Sequence, residues 1–166
     1  MQAVSAVVRS QPDLAGRMRV FDHRRGAGRA LAAMLAPYRR TGALVLGIAA
    51  GGVPVAAEIA RDLELALEVA VVSKITPPWN SEIGYGAVAF DGSVRLNEAM
   101  IERLRLGEKD VERGIARTRE KVVRRLQRLH AGRHATRLGG RTVLLVDDGL
   151  ASGFTMTVAL EALRRA

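Results

Sequence analysis

Three short, almost uninterrupted apolar runs constrain this chain more than anything else in it. They are ALVLGI (43–48), LEVAVVSKI (67–75) and RTVLLV (141–146). A strand open to water on one face alternates apolar and polar residues, whereas one covered on both faces does not. Each run therefore predicts a buried strand. VPVAAEIARDL (53–63) and TMTVALEALRR (155–165), which follow the first and last runs, have helical spacing. Pro54 is tolerable there because it falls in the first turn. Strand–helix–strand, then an insertion, a helix and a final strand–helix is the order of a parallel α/β sheet. Ligands of such sheets sit at the carboxyl ends of the strands. Those ends lead into three loops, 47–52, 75–96 and 147–154.

The rest of the chain fits around this frame. Residues 1–18 have no period and read as an N-terminal arm, leaving one domain over 19–166; 166 residues are too few for two comfortable domains. GRALAAMLAPY (28–38) places Leu31, Met34, Leu35 and Tyr38 at helical spacing, with Pro37 near its end. TPPWNSEIGYG is turn-rich, and AVAFDGSVRL (87–96) carries a central Asp91-Gly92, a hairpin signal. A long helical stretch follows, broken at Gly107, with an apolar stripe of Val111, Ile115, Val122, Leu126 and Leu129. The chain has no cysteine, which excludes disulfides, thiolate metal sites and a cysteine nucleophile. No apolar run approaches the roughly 20 residues of a membrane span, and MQAVSAVV lacks a basic region, so a cytoplasmic location is expected.

DDGLASGFT (147–155) has what an anion site needs. Gly149 and Gly153 let backbone N–H groups turn toward one point, Ser152 and Thr155 add hydroxyls, and a helix begins near Thr155. Asp147 and Asp148 could accept hydrogen bonds from vicinal hydroxyls of a ribose, directly or through Mg²⁺. The residues alone leave a second reading open: an Asp-Gly turn with a Ser/Thr cap, which is common.

VLLVDDGLASGFTM (143–156) resembles the phosphoribosyl-pyrophosphate (PRPP) signature of type I phosphoribosyltransferases. The resemblance implies that Asp147 and Asp148 hold the ribose hydroxyls, and any metal only indirectly. Ala151, Ser152, Gly153, Phe154 and Thr155 would cradle the 5′-phosphate, Ser152 replacing the family's usual Thr. LGIAAGGVPVA (46–56) is similar to the family's pyrophosphate loop, with Ala49, Ala50, Gly51 and Gly52 at the turn. Close relatives often have Pro-Arg where this chain has Ala49-Ala50; Lys74, at the end of the next strand, is the substitute cation. KITPPWNSEIGYGAV (74–88) and FDHRRGAGRALA (21–32) resemble segments of a little-characterised bacterial group of phosphoribosyltransferases, so the similarity covers about residues 20 to 165.

The fold so implied is a Rossmann-like parallel sheet flanked by helices, with a flap over 75–96 and with the family's C-terminal strand or strands missing after ALEALRRA. Mg²⁺ is the implied cofactor, PRPP and a nitrogenous acceptor are the implied partners, and a homodimer is the implied assembly. Glu82 is the candidate general base because it lies in the flap. No P-loop, dinucleotide fingerprint or nucleophile elbow occurs, and His23, His130 and His134 lack metal-ligand spacing and suit surface or capping roles. The net charge of +9 is concentrated between Arg103 and Arg141. That run is a solvated helix face on one reading and a nucleic-acid surface on another, which keeps a PRPP-sensing RNA- or DNA-binding regulator as an alternative. A non-catalytic phosphate-binding homologue is the third reading, and no membrane partner is expected.

Overall fold

The computed structural model describes residues 10–129, 138–150 and 153–166. Its elements run α1 (Arg24–Met34), β1 (Leu44–Ile48), α2 (Gly52–Leu63), β2 (Ala66–Ala70), β3 (Ser73–Ile75), β4 (Gly86–Val88), β5 (Val94–Leu96), α3 (Glu98–Arg103), α4 (Glu108–Leu129), β6 (Val143–Val146) and α5 (Phe154–Leu163). No described helix is long and apolar enough to cross a membrane.

β1 is the centre of a parallel sheet of order β2-β1-β6, and all five of its residues are buried. Strand side chains alternate between faces, so a central strand needs cover on both. Leu46 and Ile48 join Val158, Ala159 and Ala162 of α5 on one side, while Val45 joins Val55, Ala56 and Ile59 of α2 on the other. This two-sided cover matches the α/β expectation.

The run 67–75 differs from the single strand expected. It divides into β2, which pairs with β1, and β3, which pairs antiparallel with β4 in a second sheet of order β3-β4-β5. Val71 and Val72 at the junction are themselves buried, so hydrophobicity stays continuous through the change of partner and hides it from the sequence. The Asp91-Gly92 hairpin forms as expected, with Gly92 at φ +80°, between β4 and β5. α4 packs on this second sheet so closely that a Cβ on Gly114 would collide with the Tyr85 hydroxyl. Val111 and Val122 are buried there and Ile115 and Leu126 pack against them, but Leu129 is exposed at the end of the helix.

α1 begins four residues earlier than the apolar pattern suggests. The Nδ1 of His23 accepts a hydrogen bond from Gly26 N (3.0 Å) and caps the first turn, the capping role anticipated for it. The helix stops at Met34, and Ala36–Tyr38 forms a separate 3-10 turn around Pro37. Gly28 lets α1 cross α2 in close contact, since a Cβ there would lie 2.7 Å from Val55 O and from Cβ of Glu58. That crossing fixes the N-terminal turn of α1 near the carboxyl end of β6.

Candidate active site

β1 and β6 are adjacent and parallel, with Gly47 opposite Val146, so the loops that follow them leave the sheet at one edge. The loop after β1 runs straight into α2, and the loop after β6 runs into α5. A Cβ on Gly52 would stand 2.5 Å from Val146 O and 2.9 Å from Cα of Asp147. A Cβ on Gly51 would overlap the carboxylate of Asp148. Only glycines let the start of α2 lie directly against the aspartate pair. The structure thus brings Gly51, Gly52, Asp147 and Asp148 together.

The backbone of this loop is partly committed. Ala49 donates its N–H to Ala70 O (2.9 Å), and the Ala49–Ala50 peptide is cis. The N–H groups of Ala50 and Gly51 have no described backbone partner, and no side chain caps α2. Such amides at a helix start suit an anion. On the other loop, Gly153 has φ +70° and begins α5, again without a side-chain cap. Asp147, Gly149, Leu150, Gly153, Phe154, Thr155 and Met156 line a cavity of about 130 Å³ between the aspartates and that helix. Ala151 and Ser152 lie outside the described residues.

The two aspartates are not equivalent. Asp148 accepts a hydrogen bond from Arg24 Nε (2.7 Å), and this pairing holds its carboxyl below the usual carboxylate range. Asp147 accepts the N–H of Asp148 on Oδ1 (2.9 Å) and is pushed upward, chiefly by burial. Arg24 is the neighbour of the aspartate pair that sequence reasoning missed. Nothing among 26 lysines and arginines singles out a residue 124 positions from its partner.

Lys74 is in β3, its Nζ donating to the carbonyl oxygen of Glu82 (2.7 Å) while its side chain covers Gly84. Glu82 is exposed; its N–H donates to Asn80 Oδ1 (2.8 Å) and its carboxylate accepts from Ser81 Oγ (3.3 Å). The described hydrogen bonds of Lys74 and Glu82 do not include the aspartate pair. Among the described residues no group of three His, Cys, Asp or Glu side chains can hold a metal. A metal at Asp147 and Asp148 would take most of its ligands from substrate and water. Mg²⁺ commonly binds that way, through one or two carboxylates plus phosphate oxygens.

Two Mycobacterium tuberculosis proteins, "Putative phosphoribosyl transferase Rv0571c" of strain H37Rv and its namesake MT0597 of strain CDC 1551, are each 37% identical over 147 residues. The match takes in 89% of this chain and 33% of each relative, so the chain spans about a third of their length. The crystal structure of TT1426 from Thermus thermophilus superposes with a TM-score of 0.65 at 38% identity, covering 87% of this chain and 69% of that one. The model of the phosphoribosyl transferase domain matches residues 20–166. With the family match covering nearly the whole chain, and its two glycine-rich helix starts and aspartate pair meeting at one sheet edge, the protein belongs to the phosphoribosyl transferase family.

Proposed function

We propose that this site binds PRPP with Mg²⁺ and transfers its phosphoribosyl group to a nitrogenous acceptor, releasing pyrophosphate, or runs the reverse reaction. The observation that carries the reading is the contact between Gly51 and the Asp148 carboxylate, which sets a diphosphate-suited loop beside a ribose-suited acid pair. Asp147 and Asp148, both ionised, would accept the ribose 2- and 3-hydroxyls. The loop from Ala49 to Gly52 would receive the diphosphate on its unpaired amides, with Lys74 as one cation and Arg24 as a second. Ala151, Ser152, Gly153, Phe154 and Thr155 would hold the 5′-phosphate, a handle remote from the reacting carbon.

In the transfer, a lone pair on the acceptor nitrogen forms a bond to C1 of the ribose. The C1–O bond breaks, and its electron pair leaves with the pyrophosphate. The sugar passes through an oxocarbenium-like state, which the fixed carboxylates accommodate as the ring flattens. The acceptor's N–H proton goes to Glu82, the base candidate, when the flap over 75–96 closes and excludes water. Mg²⁺ would neutralise charge on the departing diphosphate. The protein would act as a homodimer in the cytoplasm, the assembly being checked by light scattering. The direct test is the melting temperature with millimolar PRPP and Mg²⁺: a rise that Asp147→Asn or Asp148→Asn abolishes supports the reading, and no rise contradicts it.

A further inference from the structure

On α4 the basic residues fall into two groups. Arg113 pairs with Asp110 (2.5 Å) and Arg124 with Glu120 (3.5 Å), as expected of a solvated helix surface. Arg117 and Lys121, one turn apart, have no ion pair among the described residues. Both instead line a cavity of about 240 Å³ between α4 and the flap. Lys74 reaches the same cavity from β3, with its ammonium already oriented by the Glu82 carbonyl. The remaining lining residues are Thr76, Pro77, Pro78, Ser81 and Thr118, so three cations and three hydroxyls surround the space and no carboxylate does. The Thr118 hydroxyl donates to Gly114 O (2.8 Å) and the Ser81 hydroxyl to the Glu82 carboxylate (3.3 Å), leaving Thr76 as the hydroxyl of the set with no partner among the described residues.

We propose that this cavity is an anion site, separate from the aspartate pair, that takes a phosphate monoester of a small molecule. Three like charges around one cavity repel each other, and a doubly charged phosphoryl group relieves that repulsion while accepting several charge-assisted hydrogen bonds. The volume is below the roughly 300–1,000 Å³ of pockets that enclose a whole drug-sized ligand, so the basic cavity suits the phosphoryl group itself. A second cavity of about 380 Å³ adjoins it and shares Pro77, Pro78 and Arg117. Tyr85, Leu106 and Ala116 line that space, and its acids Asp110 and Glu120 are already paired. The organic part of the ester fits there, with Arg117 at the boundary between the two halves. The site shares Lys74 with the set proposed for the diphosphate, whereas Arg117 and Lys121 have no part in the transfer reaction and are the cations that distinguish it.

Trp79, the single tryptophan, is 65% exposed and follows Pro78 at the rim, which makes its fluorescence a local reporter. The experiment titrates adenosine 5′-monophosphate and inorganic phosphate into the chain without PRPP or Mg²⁺. It is repeated with the Arg117→Ala/Lys121→Ala and Asp147→Asn/Asp148→Asn double variants, each checked for an unchanged melting temperature. The site predicts a saturable change in Trp79 emission, tighter for the monophosphate than for phosphate. That change persists in the aspartate variant and weakens at least tenfold in the cation variant. Unaltered affinity in the cation variant, loss in the aspartate variant, or a response confined to single-stranded oligonucleotides would each overturn it. The last outcome would instead assign the helix to nucleic acid.

Discussion

Adding one methyl group at Gly51 or at Gly52 separates what the junction of the two loops does for the fold from what it does for the ligand. Gly52 faces backbone: its Cβ would stand 2.5 Å from Val146 O, against an ordinary contact of 3.4 Å or more. Neither that carbonyl nor Cα of Asp147 can rotate away, so α2 and β6 must part by about 1 Å. Overpacking of this kind costs about 1–3 kcal/mol. In a domain of this size that lowers Tm by about 2–4 °C per kcal/mol. A displacement of about 1 Å at catalytic groups also lowers turnover by about 100-fold. Gly51 faces the Asp148 side chain, which can swing aside and abandon Arg24. Gly51 already has φ −69° and ψ −35°, which alanine adopts freely. Alanine there gains about 0.4–1 kcal/mol through the unfolded chain. The exposed Arg24–Asp148 pair that is lost is worth about 0–1 kcal/mol. The two terms cancel, so Gly51→Ala keeps its Tm within about 2 °C yet loses PRPP binding. Thermal melts by circular dichroism and PRPP titration calorimetry read both quantities. Wild-type PRPP affinity in Gly51→Ala, or a Tm drop in it as large as in Gly52→Ala, would refute the reasoning.

Other perturbations probe the same geometry. Arg24→Ala removes a pair that is 58% exposed on the arginine side, so stability falls by at most about 1 kcal/mol, while KM for PRPP rises about tenfold; steady-state kinetics beside a melt separate the two. The acid limb of PRPP affinity belongs to Asp147, whose raised pKa makes it take a proton before Asp148 as pH falls. The stabilisation from Asp148 has the usual sign for a depressed carboxyl, present above the unfolded pKa and lost as pH falls through the folded one. In Arg24→Ala, Asp148 returns toward its ordinary range, so titration calorimetry between pH 7 and pH 4 gives a steeper loss there than in wild type. Gly114→Ala drives a Cβ into the buried Tyr85 and lowers stability by about 1–3 kcal/mol by urea melt, with PRPP affinity at the remote aspartates unchanged in the folded fraction.

The elements legible in the sequence are those whose signals are local. β1 is a short run buried along its whole length and β6 a half-buried one ending on buried Val146, α2 and α5 have helical spacing, and the β4–β5 turn needs the positive φ that Gly92 supplies. The chain's own chemistry likewise marked Asp147, Asp148 and the glycines of both loops. Partner choice was not legible: the run through Val71 and Val72 keeps its hydrophobicity while changing sheets. The start of α1 depends on a single hydrogen bond to His23, which apolar spacing does not register. Arg24 reaches Asp148 only because α1 crosses α2 at Gly28, and that contact exists in three dimensions alone.

The central claim is that Asp147 and Asp148 form the sugar grip of a PRPP site. It is tested most directly by calorimetric titration of PRPP with Mg²⁺ into the wild-type chain and Asp148→Asn. The account predicts saturable binding by the wild type and at least tenfold weaker binding by the variant, whose fold is unchanged. Equal affinity in both, or no binding to the wild type at millimolar PRPP, would contradict it.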